Sequence, residues 1–114
     1  MEITDPTFAR EVLSSRAPVL VDFWASWCPP CKMMEPLMER LAGEYEGRAR
    51  VVKLNIDRNP AAAGRFAIQG VPTFILFRGG EVRARLVGAQ TESALRALLE
   101  EALAPPGGGA GTGG

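Results

Sequence analysis

Cys28 and Cys31 are the only cysteines of the chain and stand in the run Trp27-Cys28-Pro29-Pro30-Cys31. Sulfurs at this spacing can close a local disulfide or open to a dithiol. Where a strand leads into such a pair and a helix leads out, the first sulfur meets the unpaired N–H groups and the positive dipole end of the helix. Both favour the thiolate, which is the reactive form. Cys28 then reads as a nucleophile, and Cys31 as the thiol that resolves a mixed disulfide formed on it. The competing readings are half of a zinc site, an inert disulfide or two buried thiols. Zinc takes about four ligands, and the chain has no histidine and no further cysteine.

The elements needed to hold the pair in this way are legible around it. Val19 to Ala25 is a β-branched and aromatic run suited to a central strand covered on both faces, with Asp22 as its anomaly. After Cys31, residues Met34, Leu37, Met38, Leu41, Ala42 and Tyr45 predict a long amphipathic helix up to Gly47, bent at Pro36. Val51 to Ile56 predicts a second strand, parallel to the first because a helix crosses over between them.

Upstream, Asp5-Pro6 reads as the N-cap and first residue of a short helix bearing Phe8, Val12 and Leu13. Downstream, Asn59-Pro60 caps a short helix through Phe66, and Gly70-Val71-Pro72 turns into a third strand, Thr73 to Arg78. Gly79-Gly80 signals a hairpin into Glu81 to Val87, with Val82, Ala84 and Leu86 on one face. Thr91 caps a last helix buried through Leu95, Leu98, Leu99 and Ala102.

Thirteen basic and thirteen acidic residues give no net field for nucleic acid or an anionic membrane. No segment approaches the roughly 18 apolar residues that span a bilayer. The N-terminus carries no leader pattern, so a cytoplasmic protein is expected. Residues 1–104 read as one domain, and 105–114 as a Gly/Pro-rich tail without structure of its own.

Val21-Asp22-Phe23-Trp24-Ala25, Trp27-Cys28, Pro30-Cys31-Lys32, Lys53-Leu54-Asn55-Ile56-Asp57, Gly70-Val71-Pro72-Thr73 and the Gly79-Gly80 hairpin occur in this order. Together they resemble the thioredoxin family over about residues 3 to 103. The resemblance implies an α/β thioredoxin fold, a central mixed sheet of four to five strands flanked by helices on both faces. It also implies protein-disulfide reductase activity through a mixed disulfide. A dithiol oxidant or isomerase, or a non-catalytic binding module or holdase, are the alternatives. The implied partners are disulfide-containing proteins and a reductase that supplies electrons. The chain itself is expected to be a monomer without a cofactor.

The same resemblance assigns roles to single residues. Asp22 falls where the family places a buried carboxylate that carries the proton of Cys31, with Lys53 tuning it; the alternative is a structural Asp22–Lys53 pair. Pro72 falls at the family's cis-proline, leaving Val71 free to meet an extended substrate. Trp27, Gly70, Val71, Gly88 and Ala89 fall on an apolar surface around the reactive sulfur, next to Pro29 and Pro30. Phe23, Trp24, Met33, Met34 and Met38 read as packing residues.

Pro29 departs from the family's usual glycine. Two prolines remove two N–H donors from the first turn, leaving those of Cys31 and Lys32 for the Cys28 thiolate, and they stiffen the dithiol chain. Both effects disfavour the reduced form and predict a more reducing pair.

Overall fold

The computed structural model describes residues 1–105. The tail reading for 106–114 lies outside the described residues. Four strands form one mixed sheet in the order β2-β1-β3-β4: β1 (Val19–Trp24), β2 (Arg50–Asn55), β3 (Thr73–Arg78) and β4 (Glu81–Val87). β1 pairs parallel with β2 and antiparallel with β3, as the crossover and the hairpin require. The helices are α1 (Asp5–Phe8), α2 (Pro29–Tyr45), α3 (Pro60–Arg65) and α4 (Glu92–Leu103).

β1 is interior to the sheet, with a strand on each edge, and packing covers both of its faces. Val19, Val21 and Phe23 join Val52, Leu54, Ile75 and Phe77 in a core closed by Phe8 and Val12. Leu20, Phe74 and Leu76 face the opposite core, built with Met34, Met38 and Leu41 of α2 and Leu95 and Leu99 of α4. By the two-residue period of a strand, Asp22 shares the α2 face with Leu20. α2 runs through Pro36 without interruption.

The N-terminal segment adds a pairing that the sequence reading lacked. Ile3 N–H donates to Lys53 O at 2.7 Å and Lys53 N–H donates to Met1 O at 3.0 Å. This segment therefore borders the outer edge of β2, opposite Lys53.

Three local expectations are corrected. The first helix is capped by Thr4 rather than Asp5, and α1 continues as a π-helical turn over Ala9–Leu13. The Asp5 carboxylate is engaged elsewhere: Oδ2 and Oδ1 accept from Ala61 and Ala62 N–H at 3.0 and 2.9 Å, the first turn of α3. Asn59, at the N-cap position of α3, sends its Oδ1 to Asp5 N–H at 2.8 Å instead of to its own helix. Each helix start is thus served by a residue of the other.

Val82 does not share a face with Ala84 and Leu86. A bulge after Leu76 puts Val82 opposite Phe77 while Ala84 stays opposite Leu76, which breaks the alternation. Val82 is left 47% exposed. Met33 is not a packing residue either: it is 79% exposed. The buried stripe of α2 runs Cys31, Met34, Met38, Leu41 and Tyr45, and Met33 falls off it by more than a quarter turn.

The Gly79-Gly80 hairpin forms as read. Both glycines have positive φ, +61° and +80°, as a two-residue turn matched to the twist of its strands requires. A side chain at Gly80 would also meet Leu13 O at 3.0 Å.

Candidate functional site

Trp24 ends β1 and Pro29 starts α2, so the junction between them fixes both sulfurs. Cys28 is the N-cap of α2, with extended backbone, and Pro29 and Pro30 fill the first two helical positions. Prolines suit these positions because the N–H each lacks would have no intrahelical acceptor there. Cys28 and Cys31 form a disulfide with their Cα atoms 5.3 Å apart. Cys28 Sγ accepts from Cys31 N–H at 3.2 Å, so a helix-terminal donor already points at the sulfur that would become the thiolate. Lys32 N–H, the other donor expected to serve this sulfur, instead donates to Cys28 O at 3.2 Å. The helical backbone claims it, and Cys31 N–H is the donor left for the sulfur.

Both cysteines are buried, packed with Ala25 and flanked by Trp24, Ile56 and Val71. Val71 O lies 3.7 Å from Cys28 Sγ. The Val71–Pro72 peptide is cis. Gly88 N–H donates to Pro72 O at 2.7 Å, and a Cβ on Gly70 would lie 3.5 Å from Val87. Gly70, Val71, Pro72 and Gly88 are thereby gathered at one end of β3 and β4, with Val71 against Cys28. Ala89 follows Gly88 and is exposed, as are Pro29 and Pro30.

Trp27 is 64% exposed yet anchored, its Nε1–H donating to Asp57 Oδ2 at 2.8 Å. The sequence reading quoted Asp57 in a motif without giving it work; the bond ties the loop before α2 to the loop after β2. Trp24 is half-buried rather than core, and its Nε1–H donates to Glu2 Oε2 at 3.1 Å.

Asp22 is 2% exposed, and among the described residues its Oδ1 has no hydrogen-bond partner. No hydrogen bond joins it to either sulfur among the described residues. It lines a cavity of about 110 Å³ with Glu35, Met38, Glu39, Ala42, Val51, Val52, Lys53 and Met1. A carboxylate without partners in a low-dielectric site favours its neutral form. Burial pushes the Asp22 carboxyl up to about 7; the Lys53 charge opposes this, and Glu2 and Glu35 add to it.

Lys53 stands opposite Asp22 in the β1–β2 register, but among the ion pairs of the described residues the Asp22–Lys53 pair weighed from the sequence is absent. Its Nζ lies 3.6 Å from Glu35 and 3.9 Å from Glu2, above the Trp24 ring at 4.9 Å from its centre. Sequence reasoning missed both glutamates. Glu35, four residues after Cys31 on the same helix face, carried a usable signal; Glu2, placed only by the N-terminal pairing, carried none.

Among the described residues no cluster of three or more potential metal ligands occurs, and no helix is long and apolar enough to cross a membrane. The arrangement suits dithiol–disulfide exchange: one sulfur at a helix N-terminus, a second in bonding reach, and a buried carboxyl that titrates near neutrality.

Known proteins agree with this reading. The thioredoxin family model matches residues 1–101. The thioredoxin of Acidithiobacillus ferridurans is 48% identical over 101 residues, covering 89% of this chain and 94% of that protein. The thioredoxin of Allochromatium vinosum is 49% identical over 100 residues, covering 88% and 94%. Thioredoxin 1 of a Nostoc species is 46% identical over 102 residues, covering 90% and 95%. The chain is a thiol-disulfide oxidoreductase that reduces protein disulfides, and it belongs to the thioredoxin family.

Proposed function

We propose that Cys28 opens the substrate disulfide, Cys31 releases the product and Asp22 carries the proton of the second step. The Cys28 thiolate attacks one substrate sulfur; that bond forms, the substrate S–S bond breaks, and the other substrate sulfur leaves as a thiolate. Asp22, when ionised, takes the Cys31 proton, through a water where the two do not touch. The Cys31 thiolate then attacks Cys28 Sγ, closing the Cys28–Cys31 disulfide and expelling the second substrate sulfur. Two electrons have passed to the substrate.

The observation that carries this reading is the Cys31 N–H donated to Cys28 Sγ at the start of α2. A donor fixed before reaction stabilises the thiolate without reorganisation. A carboxyl that titrates near 7 is divided between base and acid at neutral pH, which suits proton transfer in both directions.

Trp27, Gly70, Val71, Gly88 and Ala89 form the receiving surface beside Pro29 and Pro30, and Val71 beside cis-Pro72 pairs its backbone with an extended substrate segment. The partners are disulfide-bearing proteins and a reductase that returns two electrons to Cys28–Cys31. The protein works as a monomer in the cytoplasm, where protein thiols are kept reduced.

Insulin reduction driven by dithiothreitol tests the reading. Wild type should accelerate precipitation of the insulin B chain, and Cys28→Ser should leave the uncatalysed rate. Equal rates for the two would show that Cys28 is not the nucleophile.

A further inference from the structure

Among the described residues Lys53 supplies the one basic side chain in the cavity of Asp22, and the carboxylates of Asp22, Glu35 and Glu2 compete for it. In the β1–β2 register its direct neighbour is Asp22. A bare pairing rule would join them, because an ion pair relieves some of the cost of burying a carboxylate. The ammonium goes elsewhere. Glu35 Oε2 holds it at 3.6 Å from α2, and Glu2 Oε1 at 3.9 Å from the N-terminal segment.

The two holders come from separate elements. Glu35 follows Cys31 by four residues, one turn along α2. Glu2 receives Trp24 Nε1–H at 3.1 Å, and its backbone neighbours Met1 and Ile3 bond both sides of the Lys53 peptide. The Trp24 ring below the ammonium completes the seat.

We infer that Glu35 and Glu2 are positioning residues for the exchange reaction: they draw the Lys53 ammonium outward and so leave the Asp22 carboxyl without an ion-pair partner. The charged side chains facing Asp22 are Lys53 from β2, Glu35 and Glu39 from α2, and Glu2 from the N-terminal segment; β3 presents apolar Phe74. Of these, Lys53 favours ionised Asp22, while Glu2 and Glu35 oppose it. The glutamates therefore act twice, by direct repulsion and by occupying the cation that would offset burial. Only the second action needs Lys53.

The consequence for turnover rests on Asp22 as the proton carrier, whereas the seating of Lys53 does not. The two are separated by following the Asp22 carboxyl carbon by NMR against pH in the oxidised chain. Wild type, Glu2→Gln/Glu35→Gln, Lys53→Met and the triple variant are compared.

The double variant should bind the Asp22 proton roughly tenfold more weakly than wild type, the size expected for a freed neighbouring cation. The triple variant should differ from Lys53→Met by less than about twofold. An unchanged midpoint in the double variant would overturn the inference. So would an equal shift with Lys53 replaced, because direct repulsion would then account for all of it. If the midpoint moves while the pH profile of insulin reduction stays fixed, the seating of Lys53 stands and the proton-carrier role of Asp22 fails.

Discussion

Asp22 and Lys53 are register partners on adjacent strands whose side chains do not pair: the ammonium lies 3.6 Å from Glu35, while Asp22 Oδ1 has no hydrogen-bond partner among the described residues. The carboxyl therefore meets the burial cost with the Lys53 charge as only a partial offset and no direct ion pair, and its titration moves up to about 7.

Stability should carry the signature of that burial. The folded carboxyl titrates at about 7 against an ordinary 3.8, so between these values the folded protein holds more protons than the unfolded chain. Stability is then greatest below the lower value and falls as pH rises through the upper one. Asp22→Asn does not ionise, so its stability relative to wild type should be greater at pH 8.5 than at pH 4, by on the order of 2–4 kcal/mol. Urea denaturation at the two pH values checks this, and a constant difference would count against a raised Asp22.

Cys31→Ser should stop the reaction after its first bond exchange. The substrate remains linked to Cys28, because a hydroxyl does not displace the mixed disulfide. Non-reducing electrophoresis of the variant after mixing with an oxidised protein should show a covalent adduct that dithiothreitol removes. Absence of adduct in the presence of active Cys28 would contradict the order of attack.

Pro29 bears on the redox poise. With Lys32 N–H bonded to Cys28 O, the thiolate depends on Cys31 N–H, and Pro29 stiffens the chain between the sulfurs. Pro29→Gly should make the potential less negative, by on the order of 30 mV, about tenfold in the equilibrium constant. Equilibration of both forms against glutathione measures it; an equal or more negative potential would reject the account of Pro29.

The exchanged helix caps predict a cost far from the site. Asp5→Ala removes the acceptor of Ala61 and Ala62 N–H and should cost about 1 kcal/mol, a fall in Tm of roughly 4–8 °C for a domain of this size. An unchanged melting curve would mean that water serves those groups as well as Asp5 does.

Much of the fold is legible because local rules and packing agree. β3 and β4 have the expected bounds, since Gly79-Gly80 marks the turn with residues only that turn needs. β1 and β2 end at Trp24 and Asn55, one residue short of expectation, because their mutual register ends there. Thr91 caps α4 as read, accepting Ala94 N–H at 3.1 Å. What is not legible depends on partners distant in sequence. Asp5 has the profile of an N-cap for its own helix, and only the approach of α3 offers it a different one. Val82 alternates correctly and is displaced by a bulge that no residue type announces. Met33 is chemically equivalent to Met34, and it is the helical period rather than residue type that separates them. Within the site, the cysteines and Asp22 are visible from their types and spacing, while the occupancy of Lys53 is decided by Glu2 and Glu35.

The most direct measurement is single-turnover resolution of the mixed disulfide, followed from pH 5 to 9 in wild type and Asp22→Asn. The wild-type rate should rise through a midpoint near 7, and the variant should be slower at pH 7 by roughly a hundredfold, with that midpoint gone. Matching profiles for the two proteins would contradict proton transfer from Cys31 to Asp22.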